Sequence, residues 1–105
     1  MRADRRAPAP SPAVPAEDRQ AIVLGEFRDD LTHWIESDRG TALRVMRMVE
    51  EILRDPFVEI GKPEALRHDQ HGRWSRRITD RDRLLYLVRG AAIYFLAARW
   101  HYQRR

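Results

Sequence analysis

The chain has 105 residues, enough for one small domain with a single modest core, and it carries a formal net charge of +4. It contains no cysteine, which excludes disulfide staples, thiolate metal sites and cysteine nucleophiles and agrees with a cytosolic protein. No apolar run approaches the length that spans a bilayer, and the arginine- and proline-rich start lacks the continuous apolar segment of a signal peptide, so no membrane association is expected. Charge is unevenly placed along the chain. Residues 1–60 carry nine arginines against twelve carboxylates, whereas residues 61–105 carry eleven Lys and Arg against four carboxylates, a net of +7. Nineteen of the 20 basic residues are Arg, so the preference for Arg over Lys reflects composition. That bias acts on both halves alike and leaves the asymmetry, which is the footprint of a nucleic-acid binder.

In chain order, residues 1–19 hold four of the six prolines and almost no large apolar side chain. They are predicted to be a disordered extension, with residues 20–105 forming the single domain. "AIVL" (21–24) reads as a short strand, and Phe27, Leu31, Trp34 and Ile35 recur at helical spacing after Gly25. Ser37 or Asp38 suits the N-cap of a second helix with the stripe Ala42, Met46, Val49 and Leu53, ended by Pro56; Met46 and Met48 are expected to fill the core. A loop, "EIGKPEALRHDQHGR", follows. Three strands are predicted next, "WSRRIT" (74–79), "RLLYLV" (83–88) and "AIYFLAA" (92–98), with connections short enough to pair neighbours antiparallel. The order β-α-α-β-β-β predicts an α+β domain with two helices on one face of a twisted antiparallel sheet.

Alternation along "WSRRIT" groups Trp74, Arg76 and Ile78 on one face and Ser75 and Arg77 on the other, and the last strand groups Arg99 with His101. A sheet face carrying Arg77, Arg83 or Arg99, and His101 is costly in a core and useful in a groove. The motifs "GKPEALRH" (61–68), "WSRRIT", "RLLY" (83–86) and terminal "HY" (101–102) resemble the YoeB/Txe group of toxins in the RelE-like superfamily, from about Ile22 to Tyr102. The resemblance implies a microbial RNase-like fold and an endoribonuclease that cuts messenger RNA in the A site of the 30S ribosomal subunit. It also implies a cognate antitoxin of the YefM/Phd-like kind, and it is compatible with a homodimer. The family's catalytic glutamate falls on Glu64, its essential arginine on Arg83 and its catalytic histidine on His101. Its supporting positions fall on Arg67, Arg77 and Tyr102. Lys62, Arg76 and Arg99, basic neighbours of these motifs, complete the expected RNA-binding set. Arg67 replaces a frequent Lys, Trp100 a usual Tyr, and "QRR" prolongs the end.

These residue types suit metal-free RNA transesterification, which needs a base for the 2′-OH proton, cations for the phosphorane and an acid for the departing 5′-oxygen. His101, with a reference pKa of about 6.5, holds a proton near neutral pH. Arg83 stays charged and presents a planar fork to phosphate oxygens. Glu64 suits the base, or alternatively pairs structurally with arginine. His68, Asp69 and His71 lack a further ligand pair nearby, so no metal is expected, and no phosphate-binding glycine loop or other cofactor motif appears. Two other readings use the same basic half: a non-catalytic RNA- or ribosome-binding module, and a ParE-like inhibitor of DNA gyrase.

Overall fold

In the computed structural model the described residues are 18–57, 72–100 and, for the backbone, 64–65. The elements are β1 (Gln20–Val23), α1 (Gly25–Ser37), α2 (Arg39–Arg54), β2 (Glu64–Ala65), β3 (Arg73–Arg77), β4 (Arg83–Arg89) and β5 (Ala92–Trp100). They form a five-stranded sheet in the order β1-β5-β4-β3-β2, with both helices on one face. The α+β class and the run of elements agree with the sequence reading. β3, β4 and β5 pair antiparallel as expected. β1 instead joins β5 in parallel, Ala21 facing Ile93 and Val23 facing Phe95, so the sheet is mixed. β2 is an additional two-residue strand, antiparallel to β3.

Asp38 alone separates the helices. Its N–H donates to the Trp34 carbonyl at 2.7 Å, closing α1. Its carboxylate accepts from the Thr41 hydroxyl at 2.9 Å and the Thr41 N–H at 3.2 Å, capping α2. The Thr41 hydroxyl bond, followed by the backbone bond, holds the Asp38 carboxyl below its ordinary pKa. α2 ends where Asp55 turns extended before Pro56, the conformation that a following proline favours. The carbonyls orphaned at that end are met from the chain start: Arg19 Nη1 donates to Leu53 O at 2.6 Å and Arg54 O at 2.7 Å. Arg19, assigned by sequence to the extension, is therefore tied to the domain; residues 1–17 lie outside the described residues.

The core sits between helices and sheet, with Phe27, Val45, Met48 and Ile52 above Ile78, Leu84, Tyr86, Ile93, Phe95 and Ala98. Phe27 and Phe95 meet in a tilted pair with centroids 5.5 Å apart. Two expected core residues differ. The buried stripe of α2 runs through Ala42, Val45, Met48 and Ile52, which leaves Met46 44% exposed, and Ile35 at the end of α1 is 51% exposed. At 100° per residue Met46 lies beside the stripe rather than on it. The β4–β5 turn is made at Gly90, whose φ of +58° a side chain would strain.

Candidate active site

Cross-strand register divides β3, β4 and β5 into two faces. Trp74, Arg76, Leu84, Tyr86, Ile93 and Phe95 point to the helices, while Ser75, Arg77, Arg83, Leu85 and Leu87 lie on the far face. Here the basic motif "SRR" splits. Arg77 is exposed and directly opposite Arg83. Arg76, expected among the RNA-contacting arginines, is fully buried under α2 and belongs to the core. Its Nε donates to the Tyr86 hydroxyl at 3.3 Å, its Nη2 donates to the Asp55 carbonyl at 3.2 Å, and its guanidinium carbon lies 5.7 Å from the Tyr86 ring centroid. The Tyr86 hydroxyl in turn donates to the Pro56 carbonyl at 2.7 Å. Burial, opposed by the Arg76 hydrogen bond, raises the Tyr86 pKa above its ordinary value. This buried pair ties the end of α2 to the sheet.

On the far face Arg83 Nε donates to the Ser75 hydroxyl at 3.1 Å. Ser75 is completely buried, so this bond sets the plane of the guanidinium from below. Ser75 is also the Cα partner of Glu64 across the β2–β3 ladder. The sequence-assigned glutamate and arginine thus lie on the two strands that flank β3, with Ser75 of β3 between them. At the other side of Arg83 stands β5. Arg83 pairs with Trp100, the residue immediately before His101. Of Arg83 and Arg99, the sequence's alternatives for the basic face, Arg83 takes the place; two register shifts in the β4–β5 ladder set Trp100 opposite it and leave Arg99 exposed. Lys62, Arg67, His101 and Tyr102, with the cluster His68, Asp69 and His71, lie outside the described residues.

Supporting contacts that the sequence reading missed come from the helix layer. Arg44 of α2 reaches past the β3 end, with Nε donating to Ile78 O at 2.9 Å and Nη2 to Arg77 O at 3.3 Å. The β3–β4 turn is closed by Thr79, whose hydroxyl accepts from the N–H groups of Arg81 and Asp82 and donates to the Asp82 carboxylate at 3.0 Å. Asp30 of α1 accepts from two successive N–H groups of β5. Its signal in the sequence is a carboxylate at the helical spacing of Phe27, Leu31 and Trp34.

The described geometry has the pattern of a sheet face built around one fixed arginine, and comparison with known proteins gives the family of the fold that carries it. Residues 25–102 match the family described as the YoeB-like toxin of bacterial type II toxin-antitoxin systems. A toxin YoeB of Streptomyces coelicolor is 46% identical over 74 residues, 70% of this chain and 88% of that one. Among solved structures, the YoeB/ParE toxin from Agrobacterium tumefaciens superposes with a TM-score of 0.74 at 32% identity, covering 79% of this chain and 99% of that one. The Staphylococcus aureus YoeB dimer gives 0.74 at 26%, covering 81% and 99%. The YoeB–YefM complex from the same organism gives 0.70 at 25%, covering 80% and 98%. A match across the helices, β3, β4 and β5, with nearly whole relatives on the same fold, means that this chain belongs to the YoeB family of toxins.

Proposed function

We propose that the protein is a ribosome-dependent endoribonuclease that cuts messenger RNA in the A site and is neutralised by a cognate antitoxin of the YefM/Phd-like kind. The observation that carries this reading is the far face of β3 and β4: Arg83, held through Nε by buried Ser75, stands opposite exposed Arg77, and β3 alone separates it from the strand of Glu64. Two guanidinium groups directly opposite each other on a sheet destabilise it, and a polyanion crossing the pair offsets that cost. The staphylococcal relative, which is solved both as a dimer and with YefM, supports an antitoxin partner and a homodimer for this chain.

In the proposed reaction Glu64 takes the proton of the 2′-OH, the 2′-oxygen bonds to phosphorus, and the bond from phosphorus to the 5′-oxygen breaks. His101 gives its proton to that leaving oxygen, so the products are a cyclic 2′,3′-phosphate and a 5′-hydroxyl. Arg83 stabilises the phosphorane, with its guanidinium plane set in advance. Lys62, Arg67, Arg77 and Tyr102 hold the flanking strand, and exposed Arg99 adds charge at the rim. Arg76, being buried, takes no part in RNA contact. No metal enters this scheme.

Expression without the antitoxin should arrest growth and translation. In vitro, purified protein should cut ribosome-bound message in a single-turnover assay and naked message much more slowly. Unimpaired growth with soluble protein present, or equal rates on the two substrates, would count against the reading. The name of the Agrobacterium relative also includes ParE, so a plasmid-supercoiling assay belongs beside it; inhibition of gyrase without RNA cleavage selects that alternative.

A further inference from the structure

Asp30 interrupts an apolar stripe. Phe27, Leu31 and Trp34 pack on the core from the same side of α1, and Asp30, only 9% exposed, lies among them. A carboxylate in such a place is costly unless it is hydrogen-bonded. Its Oδ2 accepts from the N–H of Ala98 at 2.9 Å and of Arg99 at 3.1 Å. One turn further along the helix, the Trp34 indole N–H donates to the Ala98 carbonyl at 2.9 Å. Two side chains of α1 therefore bond three neighbouring backbone groups of β5.

Those groups sit where the β4–β5 ladder breaks. Leu85 faces Ala97, yet Arg83 faces Trp100, so two steps along β4 are matched by three along β5. An extra residue in one strand leaves backbone groups without ladder partners, and side chains from a neighbouring layer are one way to satisfy them. A first shift lies between Tyr86 and Leu85; continued without the second, the Leu85–Ala97 register would set Arg99 opposite Arg83. Like charges directly opposite on a sheet are unfavourable. The bulge places an indole there instead, and indole is the best aromatic partner for a guanidinium.

We propose that Asp30 and Trp34 are positioning residues for the active site: by holding the Ala98–Arg99 bulge they set Trp100, and not Arg99, opposite Arg83. The geometric part stands on the register alone; the catalytic consequence rests on the ribonuclease reading. Asp30→Ala removes the acceptor of both N–H groups, Asp30→Asn keeps an oxygen for them, and Trp34→Phe removes only the indole donor while retaining a packed ring.

Two measurements on the full chain separate the parts. NMR cross-strand contacts of Arg83, with amide exchange at Ala98 and Arg99, report the register. Single-turnover cleavage of ribosome-bound message, beside affinity for the ribosome, reports the consequence. Asp30→Ala and Trp34→Phe are expected to lose the Arg83–Trp100 contact, to speed exchange at both amides and to slow cleavage about 10- to 100-fold at unchanged affinity, the scale of a roughly 1 Å misplacement. Asp30→Asn should keep the register and most of the rate. A merely structural role would lower thermal stability and leave the folded fraction cutting at the wild-type rate. The proposal is overturned by a retained register in Asp30→Ala and Trp34→Phe, or by a lost register with wild-type cleavage. Should Asp30→Ala not fold, Trp34→Phe against Asp30→Asn decides in the same way. Should the wild-type protein cut no RNA, the ribonuclease reading fails, and the register alone judges the brace.

Discussion

Arg76 and Arg77 are neighbours in sequence on opposite faces of β3, and methionine at each position separates their roles. Arg76 donates to the Tyr86 hydroxyl at 3.3 Å and the Asp55 carbonyl at 3.2 Å from a fully buried site. A hydrogen bond to a charged group contributes about 1.5–3 kcal/mol, so two of them set a gross loss of roughly 3–6 kcal/mol. Methionine retains much of the apolar stem and removes the desolvation cost of the buried cation, which offsets part of that loss. A net destabilisation of about 1–4 kcal/mol follows. Arg77 is exposed, so Arg77→Met should stay within about 0.5 kcal/mol of wild type. With a urea slope of about 1–3 kcal/mol per molar, Arg76→Met should unfold near 1 M earlier at an unchanged slope. RNA affinity should show the reverse order. Arg77→Met should reduce the salt dependence of single-strand binding by about 0.7, the release from one phosphate contact, while folded Arg76→Met keeps the wild-type value. Equal urea midpoints for the two variants, or a reduced salt dependence for Arg76→Met, would refute the assignment of faces.

Arg83→Ala should slow cleavage by about 10²- to 10³-fold and weaken RNA binding as well, because its charge acts in the ground state and the transition state. His101→Gln should cost about 10²- to 10⁴-fold in rate with affinity retained, both variants being measured by single-turnover cleavage. Tyr86 holds its proton more tightly folded than unfolded, so its contribution is fully present below pH 10.0 and declines as pH rises beyond that, where the unfolded chain ionises first. Urea midpoints from pH 8 to 11 should therefore fall more steeply for wild type than for Tyr86→Phe. Arg19→Ala should remove the bonds to Leu53 O and Arg54 O and fray the last turn of α2, costing about 1 kcal/mol, with faster amide exchange confined to that turn.

Local periodicity made most of the elements legible. Phe27, Leu31 and Trp34 at helical spacing, Asp38 at a cap and Pro56 at a stop mark α1 and α2 within a few residues of their bounds. The motifs "WSRRIT", "RLLYLV" and "AIYFLAA" mark β3, β4 and β5, and short turns give their antiparallel order. Pairing across long stretches of chain is a different matter. No residue in "AIVL" states that its partner is β5 or that the pair is parallel, because that choice is made by how two helices return over the sheet. The shifts within β5 are equally silent, since alternation is read as if it never slips. Two slips carry Trp100 to the place opposite Arg83 that the Tyr86–Phe95 register would give to Ala98. Alternation places Arg76 on the face of Trp74 and Ile78 while its charge suggests solvent; the hydroxyl and carbonyl that it bonds come from β4 and the end of α2.

Among the described residues three polar side chains are buried, Asp30, Ser75 and Arg76, and each fixes a different part of the sheet. Asp30 holds the β5 bulge beside Trp100, Ser75 sets the plane of Arg83, and Arg76 ties β3 to the residues that lead out of α2 toward the segment of Lys62, Glu64 and Arg67. Buried polar groups contribute little net stability and much geometric definition when every partner is met. Of the three only Ser75 bonds Arg83 directly, and under the proposed function that bond matters most, since a guanidinium that must first find its orientation loses the advantage of being held ready for the transition-state charge.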